Sequence, residues 1–248
     1  MTIQPAEPTM ILGIPLSVYA VPTGYEARAL YVHARKTKAG TWNELMLEAQ
    51  NSGCRLPTSA EWYQARSALE NTEAEKDFLE GPPEWTGTVL DYDKGELLEG
   101  IALNSDGTIA TVNTRLGREQ GIVLPTESGF VRDDPDEECK STIRSARVLG
   151  EEYAPLVCYL WGVQDIGELP VYTHLYVQPR GFRHVVRGDW SWPRHDGRRV
   201  DADAEYGGAD RSFAARFVSE TRPETAMTLA EYEAMMGQLS ERTVLVEL

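Results

Sequence analysis

Two threonines do most to limit the folds open to this chain. Thr41 stands three residues before Glu44, and Thr58 stands three residues before Glu61. A threonine so placed accepts the amide of the third helical residue, and the glutamate accepts the threonine's own amide in return. The spacing predicts a helix over TWNELMLEAQNSG, closed by Gly53, and a second over SAEWYQARSALENTEAEKDFL. Trp42, Leu45, Met46 and Ala49 fall on one face of the first helix. Trp62, Ala65 and Leu69 form the inward stripe of the second. Pro57 sets the chain direction just before the second cap.

Strand signals surround this pair. Ile11, Leu12, Ile14, Leu16, Val18 and Tyr19 make a buried strand, and EARALYVH at 26–33 makes another. EWTGTVLDY at 84–92 reads as a strand entered from the Gly-Pro-Pro turn. GIALNSDGTIATV at 100–112 reads as a hairpin around Asn104 to Gly107. Further strands are expected at 141–149, 157–161 and 171–177, and the acidic stretch 126–140 reads as a surface loop. Within it, Asp133, Asp134 and Asp136 lack the following glycine and distal glutamate of a calcium loop. After Val218 comes a Thr-Arg-Pro turn. Thr228 then caps a helix over LAEYEAMMGQLS, and TVLVEL reads as a closing strand. No internal repeat or low-complexity linker divides the chain, so 1–248 is expected to form one domain.

Charge narrows the function classes. The 39 acidic residues against 24 basic leave a net charge of −15, which disfavours a nucleic-acid-backbone binder despite a local run of arginines from Arg183 to Arg199. Cys54, Cys139 and Cys158 match no zinc spacing or disulfide framework and read as buried thiols. The apolar run 10–21 is short and carries Pro15, with no Lys or Arg before Arg28. No secretion signal, membrane span or membrane insertion is expected, and the compartment is left between cytoplasm and virus particle. No P-loop, dinucleotide fingerprint or Ser-His-Asp arrangement is visible. The histidines, His33, His174, His184 and His195, form no ligand cluster, although His174 and His184 would meet if their strands paired.

Four short segments occur in a telling order: RLPTSAEW at 55–62, EWT at 84–86, RGDW at 187–190 and AARF at 214–217. Together they resemble the C-type-lectin-like fold of the formylglycine-generating, sulfatase-modifying enzyme family. Members of that family carry an RLPTEAEW-like helix start, an EWT-like strand, RGGSW and a closing GFR. Here RGGSW has become RGDWSW and GFR has become ARF. The resemblance implies an α+β fold with two helices in the N-terminal half, irregular antiparallel sheets and long loops. It leaves an insertion near 113–180 and a helix and strand extension at 219–248. Trp62, Trp85, Arg187, Gly188, Trp190 and Arg216 are its expected scaffold: tryptophans to fill the core, a glycine for close approach, and arginines to bond loop carbonyls.

The enzymes of that family use cysteines after the RGGSW-like strand, and this chain has none after Cys158. No catalytic residue, metal ligand or cofactor is therefore expected. The window 189–213 instead mixes aromatic, small polar and acidic residues, a composition suited to recognition. A second resemblance, to the variable proteins of diversity-generating retroelements, places a hypervariable stretch in this window. The candidate ligand-binding residues are Asp189, Ser191, Trp192, His195, Asp196, Asp201, Asp203 and Tyr206. Trp190, Trp192 and Glu205 are not products of adenine variation in an asparagine codon. The expected role is non-catalytic binding of a protein or glycan on another cell or virus, with oligomeric state open. The alternatives are a sulfatase-modifying or iron-dependent enzyme, and a structural viral tail or decoration subunit.

Overall fold

The computed structural model describes residues 11–20, 24–70, 72, 75, 78, 83–127, 129–130, 147–148, 151–168, 173–177, 179–189, 201–207, 211–224 and 226–244. It is a mixed α+β structure. The α-helices whose bounds lie among the described residues are α1 (Trp42–Asn51), α2 (Ser59–Ala68), α3 (Ala154–Trp161) and α4 (Leu229–Val244). The longer strands are β1 (Ile11–Ala20), β2 (Gly24–His33), β3 (Glu84–Asp91), β4 (Glu96–Leu103) and β5 (Ile109–Leu116), then β8 (Thr173–Val177), β9 (Phe182–Asp189) and β10 (Asp201–Gly207). Short strands are β6 (Gly129–Phe130), β7 (Arg147–Val148), β11 (Ala214–Ala215), β12 (Val218–Ser219) and β13 (Ala226–Thr228).

Among the described residues these strands form two sheets. The smaller runs β12-β2-β1-β13, with β1 and β2 antiparallel and β13 parallel to β1. The larger runs β5-β4-β3-β9-β10-β8-β6-β7, and β11 pairs in parallel with the start of β3. β3 is the axis of the larger sheet, and all eight of its residues are buried. Its alternation explains this. Leu90, with Leu97 of β4 and Val185 of β9, joins the core beneath α2 and α3. Val89, with Leu98 and Val186, joins the core beneath α1. Side chains alternate across a strand, so a strand covered on both faces is buried throughout, and here that includes the polar Glu84, Thr86, Thr88 and Asp91. The α2/α3 core extends to Ile14, Leu30 and Val32 of the smaller sheet and to Tyr232 of α4.

Both capping boxes form. The Thr41 side chain takes the Glu44 amide and the Thr58 side chain takes the Glu61 amide, each glutamate bonding back to its cap. Thr228 and Glu231 make the same reciprocal pair at the start of α4.

Three sequence expectations change. The second helix ends at Ala68 and not near Leu79. Residues 157–161, expected as a strand, belong to α3, which Pro155 helps to start and Gly162 ends at φ 65°. Short apolar runs have no periodicity to separate the two states, and burial of consecutive residues 156–161 suits either. The closing strand expected at TVLVEL is replaced at Thr243 and Val244 by the end of α4. The stretch 113–180 also does more than interrupt. Leu116, Ile122 and Leu124 join the main core, as do Leu156, Val157, Leu160 and Trp161 of α3. Of the expected strand 141–149 only β7 is described, and 131–140 of the acidic loop lie outside the described residues. No helix of the described residues is long and apolar enough to cross a membrane.

Candidate functional site

The four ordered segments touch one another. Arg55 reaches both carboxylate oxygens of Glu61 at 2.7 Å and Glu220 at 2.9 Å, while its backbone exchanges bonds with Val218 of β12. Burial works against the Arg55 charge, but the two carboxylates outweigh it and push its pKa up.

Between Trp85 and Val89 the pairing of β3 with β9 shifts register, leaving Thr86, Gly87 and Thr88 bulged. Polar groups freed there find partners elsewhere, as a buried bulge requires. The Gly87 amide donates to the Pro57 carbonyl at 2.7 Å, and the Thr86 carbonyl accepts the Trp42 indole at 2.8 Å. The Thr86 hydroxyl donates to the Val185 carbonyl, and the Thr88 hydroxyl accepts the Ser59 amide. A Cβ at Gly87 would meet the Leu56 carbonyl oxygen at 3.2 Å, so the bulge lies flat on the RLPT turn.

Arg187 and Arg216 are fully buried. Arg187 donates to the Ser59 hydroxyl at 3.0 Å and to the Leu160 carbonyl at 2.7 Å, with its guanidinium 4.1 Å over the Trp161 ring. It joins the start of α2 to the carbonyl end of α3, where a cation also suits the helix dipole. Gln64 bonds the Gly162 carbonyl beside it at 3.1 Å. Arg216 bonds the carbonyls of His33, Ala34 and Phe78, pairs with Glu84, and stacks 3.9 Å over Phe78. Gly188 has φ 147°, and a Cβ there would stand 2.8 Å from the Pro83 Cα. Trp62 and Trp85 are buried on opposite faces of the sheet. Trp190, the remaining expected scaffold residue, lies outside the described residues.

The candidate ligand-binding residues divide. Asp189 ends β9 and pairs with Asp201, which begins β10. Asp201, Asp203 and Tyr206 therefore stand in a strand between β9 and β8 and not in a loop; Asp203 is opposite Arg187 and Tyr206 opposite His184. The reason is pairing on both edges, which turns a polar, alternating stretch into an interior strand. Ser191, Trp192, His195 and Asp196 lie outside the described residues.

The strands of His174 and His184, which would have to pair to bring the two together, are not adjacent. β10 runs between them, His174 pairs with Ala202, and His184 pairs with Tyr206, four residues further along. Instead, His184 packs with its ring centroid 4.3 Å from Trp42 and 5.9 Å from Trp85. Burial, helped by Arg183, lowers its pKa to about 4, so the ring is neutral at pH 7. Among the described residues no group of three His, Cys, Asp or Glu side chains is placed to hold a metal. Half-buried Cys54 has its Sγ 3.9 Å from Nε2 of His33, whose pKa is lowered by burial and then by Arg216.

Sequence reasoning missed Glu99. It lies buried on β4, its two carboxyl oxygens receiving the Thr88 hydroxyl at 2.7 Å and the Tyr159 hydroxyl at 2.8 Å. Burial raises its pKa to about 7 against the pull of those two bonds. The one local signal was Gly100 next to it. Gly100 has φ 60°, and a Cβ there would stand 2.8 Å from the Asn113 Cβ. This left-handed residue breaks the alternation of β4, so that Glu99 faces α3 while Ile101 joins the α1 core.

Compared with protein-family models, curated proteins and solved structures, the chain matches none.

Proposed function

We propose that the protein is a non-catalytic ligand-binding protein of the C-type-lectin-like fold, and that it displays the window 189–213 to a protein or glycan partner, with that window diversified by a retroelement. The observation that carries this reading is the pairing of Asp189 with Asp201. Asp189 ends β9, Asp201 begins β10, and the two face each other in the ladder, so both ends of the stretch between them are held at one point. That point lies beside Gly188, packed against Pro83, and the buried, hydrogen-bonded Arg187. Recognition loops on a rigid base work in this way: the scaffold stays fixed while the side chains it presents change. The mutual contacts of RLPTSAEW, EWTG, RGD and AARF support the fold part of the proposal, because four remote segments become one packed unit.

Deep sequencing of the codons for 185–220 across a source population tests the reading. Substitutions clustered at a few codons of 189–210, with Arg187, Gly188, Trp190 and Phe217 constant, are expected. Uniform codons across the window would remove the diversification. A second reading, an enzyme of the sulfatase-modifying kind, has the Cys54–His33 contact in its favour. It predicts alkylation of Cys54 by iodoacetamide faster than that of a free thiol at pH 7, and equal or slower reaction would end it.

A further inference from the structure

A buried carboxyl group is held in one of two ways. Either a cation pairs with it and it stays ionised, or it lacks such a pair and exchanges a proton near neutrality. Glu84 and Glu61 each have a cation beside them, Arg216 and Arg55. Glu99 is held in the second way. Its hydrogen-bond partners are two neutral hydroxyls, from Thr88 of β3 and Tyr159 of α3. The charges that reach it come from Glu61 of α2, which opposes ionisation, and from Arg55, which favours it but is engaged by Glu61 and Glu220.

The partners of Glu99 lie on a continuous chain of bonds. Thr88 accepts the Ser59 amide, the Ser59 hydroxyl accepts from Arg187, and Arg187 donates to the Leu160 carbonyl, one residue from Tyr159. Glu99 thus closes a ring of contacts through β4, β3, α2, β9 and α3.

We propose that Glu99 is a proton-sensitive tie that makes the anchorage of α3 and of strand β9 tighter when it is protonated and looser when it is ionised. The neutral acid can donate to Tyr159 while accepting from Thr88. The ionised form places an uncompensated charge in the core. The sign follows from linkage. With its folded pKa above its unfolded value, Glu99 binds its proton more strongly in the folded state, so its contribution is present at low pH and lost as pH rises from about 4.5 to about 7. His184 works oppositely over an overlapping range, so the whole-protein profile is a sum and the informative quantity is a difference between variants.

The experiment is thermal melting of the full chain from pH 5 to pH 8.5, for the wild type and Glu99→Gln. The Tm of the Gln variant relative to wild type should climb with pH, by roughly 5 °C across the range. Amide exchange in α3 and at Val185 to Gly188, corrected for intrinsic rates, should be several-fold faster at pH 8.5 than at pH 5.5 in the wild type only. A Tm difference that is constant with pH overturns the proposal, as does equal pH dependence of exchange in both proteins. Should Glu99→Gln not fold, Tyr159→Phe decides. Removing one donor to the carboxylate should move the wild-type loss of stability to higher pH, and an unmoved profile overturns the proposal. The inference stands on the core contacts and does not depend on whether 189–213 binds a ligand.

Discussion

The two faces of the larger sheet are covered by helices of similar length but opposite chemistry. Beneath α1 lie Trp42, Leu45, Met46, Trp85, Val89, Leu98, Val186 and Phe217, a largely apolar layer with His184 set between two indoles. Beneath α2 and α3 the apolar side chains surround a buried polar system of Arg187, Ser59, Thr88, Glu99 and Tyr159. The first layer gains its stability from contact area and volume, which are tolerant of exchange among similar shapes. The second holds its parts by directed bonds, each of which leaves an unpaired group when its partner is removed. Strand β9 belongs to both layers. Val186 faces one of them and Arg187 the other.

The largest expected effects test this contrast directly. Trp42→Ala and Arg187→Ala should each destabilise by about 3–5 kcal/mol in urea unfolding. Trp42→Phe should then recover part of its loss, because volume is restored. Arg187→Met should recover little, because the Leu160 carbonyl and the Ser59 hydroxyl remain without their donor. Equal recovery on the two faces would dissolve the distinction.

His184 sharpens the comparison on the apolar side. Its folded pKa lies below its unfolded value, so the folded state binds fewer protons between about pH 4 and pH 6.5. The contribution of His184 to stability should therefore grow with pH across that window, by on the order of 2–3 kcal/mol, against the opposite change from Glu99. His184→Phe should flatten the rise, which acid titration of the unfolding midpoint would show. An unchanged slope would mean that the ring is protonated without cost.

A smaller effect separates the two capped helices. Thr41→Ala should cost about 1 kcal/mol, the usual value of a lost cap. Thr58→Ala should cost more, toward about 2 kcal/mol, because its partner Glu61 is also the anchor of Arg55. Melting of the two single variants side by side gives the order.

The smallest effect on stability is expected at the proposed display strand. Tyr206→Ala should lower Tm by no more than about 3 °C while weakening ligand binding. Parallel loss of both would make Tyr206 a structural residue of β10 and not part of a recognition surface.

The local chemistry of the chain determined the starts of α1 and α2, the cap of α4, the strands 11–20, 26–33 and 84–91, and the Asn104–Gly107 turn. These features depend on residues a few positions apart: a threonine and its glutamate, alternating side chains, a glycine at φ 82°. Such bonds are specified wherever the segment is placed. The order of RLPTSAEW, EWT, RGD and AARF was legible too, but not what joins them. Only the tertiary structure decided that Arg187 links α2 to α3, that 157–161 is helical, that 201–207 is an interior strand, and that Glu99 is buried without a cation. Each of these depends on a partner far along the chain. A buried arginine or carboxyl is identical in sequence to a solvated one, and an apolar pentapeptide satisfies its backbone equally well as helix or strand. The energy that separates those states lies in desolvation and in long-range hydrogen bonds, and these exist only once the remote segments have met.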